Sequence, residues 1–340
     1  MAVTLKDVAK RAGVSATTVS LVLNQGSNSR ISETTRNKIL YITKELGYQT
    51  NKTPPGTPIA VPPTIGLVFT DVTNPFFTAM AAAIEDVASR YGYNIILCNT
   101  QRNLKKEREY LEVLSRRRVD GLLIAPVDDQ ESDITDFVKR NTPVVFIDRC
   151  LEGEEHTNAV LLDNLGGAYL ATKHLLDLGH RRIGLINGRR TVLTGKDRLK
   201  GYKKALQEYH IPVQEELICD GFFTVEGGQE ATQTLLNLSP PPSALLSCGG
   251  VMSIGALLEM RQRGITLPRD LSFVSFDDEK WCILIEPPLT VIAQPVNELG
   301  TEAAQLVIQL IQGWGTETSQ HIILKPQLIV RNSCARYTAH

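Results

Sequence analysis

Apolar side chains recur at helical spacing near the N-terminus. Leu5, Val8, Ala9 and Ala12 lie three or four positions apart and predict a short helix with one buried face. Gly13 follows and favours a tight turn, because glycine tolerates backbone conformations that other residues avoid. The pattern therefore predicts a helix followed at once by a turn.

Two more short helices are predicted after this turn. Ser15 and Ser32 are suitable N-caps for them, since a serine hydroxyl can accept a hydrogen bond from the free backbone N–H groups of a helix start. The apolar side chains expected to face a shared core are Val19, Val22 and Leu23 in the first and Ile39, Leu40, Ile42 and Leu46 in the second. The turn residues and their spacing favour a helix-turn-helix over an ordinary surface helical hairpin.

From residue 64 onward, short apolar runs alternate with amphipathic stretches. The apolar runs predict strands at residues 65–70, 94–99, 121–126, 143–148, 183–186, 243–248, 271–276 and 289–293. The amphipathic stretches predict helices at 76–91, 104–117, 131–140, 165–178, 198–209, 227–237, 252–263 and 297–312. The alternation is typical of parallel sheets covered by helices, and so many strands suit two α/β lobes better than one sheet.

Composition is ordinary for a globular protein of 340 residues, with 42% hydrophobic and 21% charged residues. No apolar run approaches the length of about 18 residues needed to cross a membrane, and the N-terminus lacks the apolar core of a signal peptide. We therefore expect a cytoplasmic protein. The six cysteines form no C-x-x-C pair and no metal-binding spacing with histidines, which predicts reduced thiols, no metal and no cofactor.

Charge is unevenly distributed along the chain. Residues 1–52 hold eight Lys or Arg against three acidic residues, whereas the whole chain has a net charge of −1. The first part is therefore basic and the remainder acidic. This separation suggests that the N-terminal helices alone meet nucleic acid, which in the predicted helix-turn-helix would be double-stranded DNA.

The N-terminal residues resemble the DNA-binding headpiece of the LacI/GalR family of bacterial transcription regulators. The family pattern T-x-x-D-V-A-x-x-A-G-V-S-x-x-T-V-S is matched at Thr4, Asp7, Val8, Ala9, Ala12, Gly13, Val14, Ser15, Thr18, Val19 and Ser20. By this resemblance the DNA-contacting residues are Thr4, Ser15, Ala16, Thr17, Thr18, Ser20, Leu21 and Asn24. Ala16, Thr17 and Leu21 occupy the positions that read base edges, and Thr17 is the one able to donate a hydrogen bond.

The segment after the headpiece departs from the family. Residues 49–63 contain five prolines, which favour an extended linker, whereas the family resemblance implies a short hinge helix that inserts a leucine into the minor groove. Ile59 is the nearest apolar candidate for that role. The expected organisation is a headpiece at 1–48, a linker at 49–63, a two-lobed domain at 64–331 and a tail at 332–340.

The two-lobed domain resembles the periplasmic-binding-protein-like core of the same family, in which two Rossmann-like lobes enclose a cleft. The resemblance implies three crossings between the lobes, near Asp163, Thr290 and Leu324, and a homodimer. The tail SCARYTAH has no leucine heptads, so a coiled-coil tetramer is not expected.

Residues that follow the predicted strands can bind a small molecule. Ligands of α/β sheets lie beyond the carboxyl ends of the strands, and these ends supply aromatic, carboxylate, amide and guanidinium groups suited to a sugar ring. The positions resemble the sugar contacts of ribose-type binding proteins: Asn74, Phe76, Phe77, Asp148, Arg149, Arg198, Phe223, Asp277 and Gln294. Arg198 is expected to open a helix after a glycine-containing loop.

One cleft segment departs from the family, and two apparent motifs fail on inspection. Cys248-Gly249-Gly250-Val251-Met252 is one residue shorter than the family pattern and lacks its acid, which puts the sugar class in question. The segment 188–196 is not a phosphate-binding P-loop, because its glycines are too far apart. Asp277 and Asp278 cannot flank one glycosidic bond, since adjacent residues of an extended segment point in opposite directions.

Two functions follow from these residues. The first is a DNA-binding repressor that binds a pseudo-palindromic operator as a dimer and responds to a small, pentose-like sugar in the cleft. The second is a sugar-binding or sugar-processing protein with a vestigial headpiece. The basic headpiece and the missing catalytic motifs favour the first, without deciding whether the effector releases DNA or promotes binding.

Overall fold

The computed structural model describes residues 5–16, 18, 19, 22, 31–45, 62–153, 157–314 and 318–338. The chain divides into two compact units, Met1–Val61 and Pro62–His340. Among the described residues, every helix is too short or too polar to cross a membrane. None of the six cysteines forms a disulfide bond.

The N-terminal unit contains helices α1 (Leu5–Ala12) and α2 (Glu33–Glu45), with helical residues at 16, 18, 19 and 22 between them. Its core consists of Val8, Ala9, Ala12, Val19, Val22, Ile39 and Ile42. Leu40 was expected to join this core but is 46% exposed, because it lies one position past the buried Ile39 on the outer face of α2. The side chains of Leu5, Leu23 and Leu46 lie outside the described residues.

The first lobe is a parallel sheet flanked by helices. Its strands are β1 (Thr64–Phe69), β2 (Asn94–Asn99), β3 (Gly121–Ile124), β4 (Val144–Asp148), β5 (Asn158–Leu162) and β11 (His321–Leu324), in the order β11-β5-β4-β3-β1-β2. Its helices are α3 (Pro75–Arg90), α4 (Leu104–Arg117), α5 (Thr135–Lys139) and α10 (Val296–Ile311). Buried apolar residues of β1, β3 and β4 pack against both helical layers.

The second lobe repeats this arrangement. Its strands are β6 (Ile183–Asn187), β7 (Ile218–Asp220), β8 (Ala244–Ser247), β9 (Ser272–Phe276), β10 (Thr290–Ala293) and β12 (Gln327–Ile329), in the order β12-β10-β9-β8-β6-β7. Its helices are α6 (Asn164–Asp177), α7 (Leu193–Glu208), α8 (Val225–Leu236) and α9 (Gly250–Gln262). Only the pairing of β10 with β12 is antiparallel.

The two strand orders correspond position by position, so β1 to β5 of the first lobe are equivalent to β6 to β10 of the second. This confirms the predicted fold class, in which two parallel-sheet lobes follow a helix-turn-helix in the chain. Four strands, β5, β7, β11 and β12, were not predicted from the sequence. Strands β7, β11 and β12 lie at the edges of the sheets, where the apolar pattern is weakest, whereas β5 lies inside the first sheet.

The chain passes between the lobes three times. The passages lie between residues 162 and 164, between 293 and 296, and between 324 and 327. They had been expected near Asp163, Thr290 and Leu324. The second passage comes later than expected, because Thr290 is still paired with Val274 inside the second sheet.

Close packing of α6 on α7 depends on Gly201. A Cβ atom built there would lie 2.2 Å from the carbonyl oxygen of Leu165 and 2.9 Å from the backbone nitrogen of Tyr169. Both are backbone atoms of α6, so a side chain at this position would push the two helices apart.

We expect Gly201→Ala to lower the free energy of unfolding by about 1–3 kcal/mol, the usual cost of overpacking a core. Urea unfolding followed by circular dichroism measures the change. Gln207→Ala is the matched control on the exposed face of the same helix and should have little effect. Equal stability of the two variants would contradict the close approach of α6 and α7.

Candidate functional site

The turn of the helix-turn-helix is stabilised by Ser15 and Gly13. The Ser15 Oγ accepts a hydrogen bond from the backbone N–H of Thr18 at 3.1 Å and lies 2.8 Å from the Thr18 hydroxyl. Gly13 has a φ of +71°, a left-handed conformation that glycine adopts without strain. Ser15 is exposed and Ala16 and Thr18 are half-buried. Of the other predicted DNA contacts, Thr4, Thr17, Ser20, Leu21 and Asn24 lie outside the described residues.

A cleft between the lobes brings together every residue predicted to contact the effector. Its lining includes Asn74, Phe76, Phe77, Asp148, Arg149, Arg198, Phe223, Asp277 and Gln294. These residues follow strands or lie in neighbouring helices of both lobes, as the strand-end rule for α/β sheets predicts. The role of each in binding remains a prediction.

Asp148 and Asp277 occupy equivalent positions at the ends of β4 and β9. Both have a left-handed backbone, with φ of 69° and 73°, which is unusual for residues other than glycine. Such strain is found at sites where the surrounding structure fixes a side chain for function. Asp278 points elsewhere and forms an ion pair with Arg331 at 2.7 Å, so the two adjacent acids do not act together.

Two buried arginines line the cleft. Arg149 lies 3.2 Å from the Asp148 carboxylate. Arg198 donates to Asn164 Oδ1 and to the carbonyl oxygen of Cys248, both at 2.8 Å, and its guanidinium lies 4.1 Å from the centre of the Phe276 ring. Each is less than a tenth exposed. These contacts fix the orientation of both guanidinium groups before any ligand binds.

The position of Arg198 differs from the prediction. It was expected to open a helix, but α7 begins at Leu193 and Arg198 lies within it. Gly195 lies in the first turn of this helix and does not break it. A Cβ atom at this position would lie 1.9 Å from the carbonyl oxygen of Arg189. The glycine therefore allows a close approach of the preceding loop to the helix start.

The aromatic residues lie on both sides of the cleft. Phe76 and Phe77 start α3, where Asn74 accepts a hydrogen bond from the Phe76 N–H at 3.0 Å. Their rings meet edge to face with centroids 5.2 Å apart. Phe223 comes from the second lobe and lies on Gly188, where a Cβ would be 2.0 Å from its ring. Glycine at position 188 is thus required for the observed ring position.

The glycine segment after β8 helps to fix Asp277 in the cleft. The Gly250 N–H donates to Asp277 Oδ2 at 2.8 Å, and the Gln294 amide donates to Asp277 Oδ1. A Cβ on Gly250 would lie 2.6 Å from Glu279 Oε1 and 3.2 Å from Asp277 Oδ2. Both oxygens of Asp277 therefore have donors from the protein, and a larger residue at position 250 would displace them.

Several cleft residues were not predicted from the sequence: Thr70, Arg102, Val127, Arg189, Thr194, Gly249, Gly250 and Val251. Arg102 could have been found, because it follows β2 in the same way that the other residues follow their strands. Arg189 and Thr194 lie in the segment 188–196, whose glycines are too far apart for a P-loop and whose other residues match no binding motif. Buried oxygen atoms of Thr194 and Gln294 have no hydrogen-bond partner among the described residues, so they are available to hydrogen-bond a ligand.

Asp129 of the first lobe contacts the second lobe beside the cleft. It is 2% exposed and lies 3.8 Å from the Lys196 ammonium, which also reaches Glu152 at 3.2 Å. Burial raises the pKa of Asp129 to about 6, although Arg149, Lys196 and a hydrogen bond from the Leu193 backbone favour its charged form. The lobes therefore meet at a carboxylate that titrates near neutral pH.

A helix-turn-helix unit joined to a two-lobed domain with a polar interlobe cleft is the architecture of a DNA-binding protein that responds to a small ligand. The chain belongs to the LacI family of bacterial regulatory proteins. Residues 4–51 match the model described as bacterial regulatory proteins of the lacI family. Residues 62–332 match the model described as periplasmic binding proteins and sugar binding domain of the LacI family.

Relatives and solved structures agree with this assignment. The HTH-type transcriptional regulator DegA of Bacillus subtilis is 35% identical over 338 residues, covering 98% of each chain. The lac repressor dimer bound to operator and the anti-inducer ONPF has a TM-score of 0.81 at 28% identity, covering 98% of this chain and 100% of that one. A LacI family regulator from Enterococcus faecium with bound ribose has a TM-score of 0.73 at 31% identity, covering 81% and 100%.

We expect Asp129→Asn to change the pH dependence of stability. The folded-state pKa of about 6 lies above the ordinary value of 3.8, so the folded protein holds this proton more tightly than the unfolded chain. The contribution of Asp129 to the free energy of unfolding therefore falls as pH rises from about 4 to about 6. Between pH 5 and pH 7.5, the wild type should lose about 1 kcal/mol relative to the variant in urea unfolding. Parallel pH profiles of the two proteins would contradict this assignment.

Proposed function

We propose that this protein is a transcription repressor that binds a pseudo-palindromic operator as a homodimer and is controlled by a small sugar-like effector, with a pentose-like ring favoured. The effector binds between the lobes and favours one arrangement of them. In a dimer this changes the spacing of the two headpieces, and so the affinity for the operator. The protein has no catalytic role in this proposal and acts on cytoplasmic DNA.

The observation that carries the effector proposal is the convergence of aromatic, carboxylate and guanidinium groups in one cleft. Phe76, Phe77 and Phe223 supply apolar surfaces for the C–H faces of a ring. Asp148, Arg149, Arg198 and Asp277 supply charged groups that make directional hydrogen bonds to hydroxyls. Unpartnered oxygens of Thr194 and Gln294 add capacity for a polyhydroxylated ligand.

The size of the cleft favours a single ring. The cavity is partly open to solvent and measures about 40 Å³, on a scale where one water needs about 10–15 Å³. A monosaccharide therefore requires a small separation of the lobes and a disaccharide a much larger one. The ribose held by the related regulator from Enterococcus faecium supports a pentose-like effector here.

The dimer proposal is supported by the similar lac repressor dimer and by exposed apolar side chains on both lobes. Leu97 of β2 is 47% exposed, Leu258 of α9 is 43% exposed and Leu284 is 79% exposed. Large exposed apolar side chains are costly in water and are typical of surfaces that pair with another chain. Two headpieces in one dimer would match two operator half-sites.

In the headpiece we propose the DNA contacts inferred from the family pattern, with Thr17 as the base-reading donor and Ala16 and Leu21 as apolar contacts for a thymine methyl group. With one hydrogen-bonding base contact per headpiece, operator affinity depends more on phosphate contacts and on the spacing of the half-sites. The proline-rich linker replaces the usual hinge sequence, so the operator is bent less than in typical family complexes.

We expect Arg149→Ala to abolish the effector response while operator binding stays measurable. Removing a guanidinium that makes charge-assisted hydrogen bonds should weaken effector binding by about tenfold to a hundredfold. Operator shifts on a genomic fragment library, with and without pentoses, hexoses and nucleobases, identify the DNA and the effector, and calorimetry gives the affinity. Arg116→Ala, an exposed arginine of α4, is the control. An unchanged effector affinity in Arg149→Ala would remove this residue from the site, and no shift at low salt would refute the regulator function.

We also expect the operator to bend less than in typical family complexes. Energy transfer between dyes at the two ends of a bound operator measures the bend. Replacing Pro54, Pro55 and Pro58 by alanine removes the main obstacle to a hinge helix and should increase the bend. A wild-type bend equal to that of typical family complexes would mean that the proline-rich linker still forms a minor-groove wedge.

A further inference from the structure

The outer part of the cleft holds positive charge that the proposed ring contacts do not use. Arg102 and Arg189 line the cavity together with Arg149 and Arg198, and both are half-buried, whereas the other two are almost fully buried. We call Arg102 and Arg189 the outer arginines. They belong to different lobes, since Arg102 follows β2 and Arg189 follows β6.

Arg102 reaches across the cleft. Its Nη2 lies 2.7 Å from Asp71 Oδ2 and donates to the carbonyl oxygen of Phe223 at 2.8 Å. Burial lowers the pKa of Arg102, Asp71 raises it, and the charges of Arg189 and Arg149 lower it further. The charges of Arg149 and Arg189 therefore both act unfavourably on the Arg102 guanidinium.

The carboxylates of the cleft pair with only part of this charge, because Asp277, which also lines the cavity, accepts from the Gly250 N–H and the Gln294 amide. Asp71 pairs with Arg102, and Asp148 pairs with Arg149. Arg198 is held by the oxygens of Asn164 and Cys248, which are neutral. The Arg189 guanidinium has no ion-pair or hydrogen-bond partner in the part of the chain that the structure describes. Of the four guanidinium groups, only that of Arg189 thus has neither a carboxylate nor a hydrogen-bond partner among the described residues, and a ligand that supplies negative charge would stabilise it.

A second, independent feature lies beside Arg189. The Thr194 hydroxyl lines the same cavity in the first turn of α7, the residue is 2% exposed, and its Oγ1 has no hydrogen-bond partner among the described residues. Buried hydroxyl groups are normally hydrogen-bonded, so an unpartnered one at a cavity wall is available to a ligand. A ligand oxygen in this cavity can accept a hydrogen bond from the Thr194 hydroxyl, and Arg189 lines the same cavity.

We propose that the effector carries an anionic group, and that Arg189, Arg102 and Thr194 bind this group while the inner residues bind its ring. This rests on the proposed function and narrows its effector class from a neutral sugar to a sugar phosphate or sugar acid. A bound oxyanion relieves the repulsion between the arginines of the two lobes and holds the lobes together. Planar guanidinium groups suit phosphate and carboxylate equally, since both accept paired hydrogen bonds.

The anion site can be tested without knowing the effector. Full-length protein in chloride buffer at fixed ionic strength is titrated calorimetrically with inorganic phosphate and, separately, with acetate. We expect at least one of the two anions to bind and Arg189→Gln to weaken it by about tenfold. Thr194→Val should weaken the same anion severalfold, and because it removes an unpartnered hydroxyl with little change of shape, we expect it to fold.

Arg190→Gln is the matched control. It removes the same charge from the next residue of the same loop, but Arg190 pairs with Asp220 at 2.8 Å outside the cavity lining. This variant should bind the anion as the wild type does. Equal weakening by Arg189→Gln and Arg190→Gln, no effect of Thr194→Val together with none of Arg189→Gln, or no binding of either anion would overturn the proposal.

The same titrations separate the two sources of the anionic group and the two levels of inference. Tighter binding of phosphate than of acetate supports a sugar phosphate, and the reverse supports a sugar acid. Ribose and ribose 5-phosphate are then compared in operator-shift assays, where the phosphorylated sugar should act at about tenfold lower concentration. Anion binding through Arg189 without any DNA shift would refute the regulator function alone, whereas DNA shifts without anion binding would refute the anion site alone.

Discussion

The buried charge of Arg198 is the constraint on which the second lobe's side of the cleft depends. A guanidinium that is only 4% exposed must have its donors satisfied, and here the N-terminus of α6, the end of β8 and the end of β9 each supply a contact. Three elements that are distant in sequence are thereby fixed around one side chain. The guanidinium is consequently held in one orientation without a ligand, so a ligand that contacts it would lose little free energy in ordering this side chain.

The periodic parts of the fold could be predicted from the sequence, whereas three of the four edge strands could not. Strands such as β4 are continuous apolar runs between amphipathic helices, and both signals are strong. Strand β12 consists of Gln327–Ile329, half-buried or exposed and paired on one side only, so its sequence resembles a loop. Leu40 shows a second limit of prediction from sequence. It is apolar and adjacent to the buried Ile39, so the pattern predicts burial, but helix geometry turns its side chain outward.

The residues that the resemblance to ribose-type proteins assigned to the cleft line one cavity in the structure, whereas other residues that line it were not predicted. Asn74, Asp148 and Gln294 stand in local patterns that recur in such proteins, and the structure brings them together. Arg102 and Arg189 also follow strands, but they stand in no such local pattern, and charged residues after a strand are usually solvated. Only the three-dimensional structure, in which the loop after β2 of the first lobe and the loop after β6 of the second line one cavity, shows that both residues belong to the same site.

The equivalence of the two lobes has a consequence for how a ligand is oriented. Residues 101 and 102 after β2 and residues 222 and 223 after β7 share left-handed backbones, with φ of 52°, 57°, 54° and 59°, so Arg102 and Phe223 are counterparts that face each other. A cleft between two identical halves would accept an asymmetric molecule either way round. The cation of Arg102 on the first lobe faces an aromatic ring on the second, so the two binding orientations are not equivalent. A ligand with one polar end would place that end towards the first lobe.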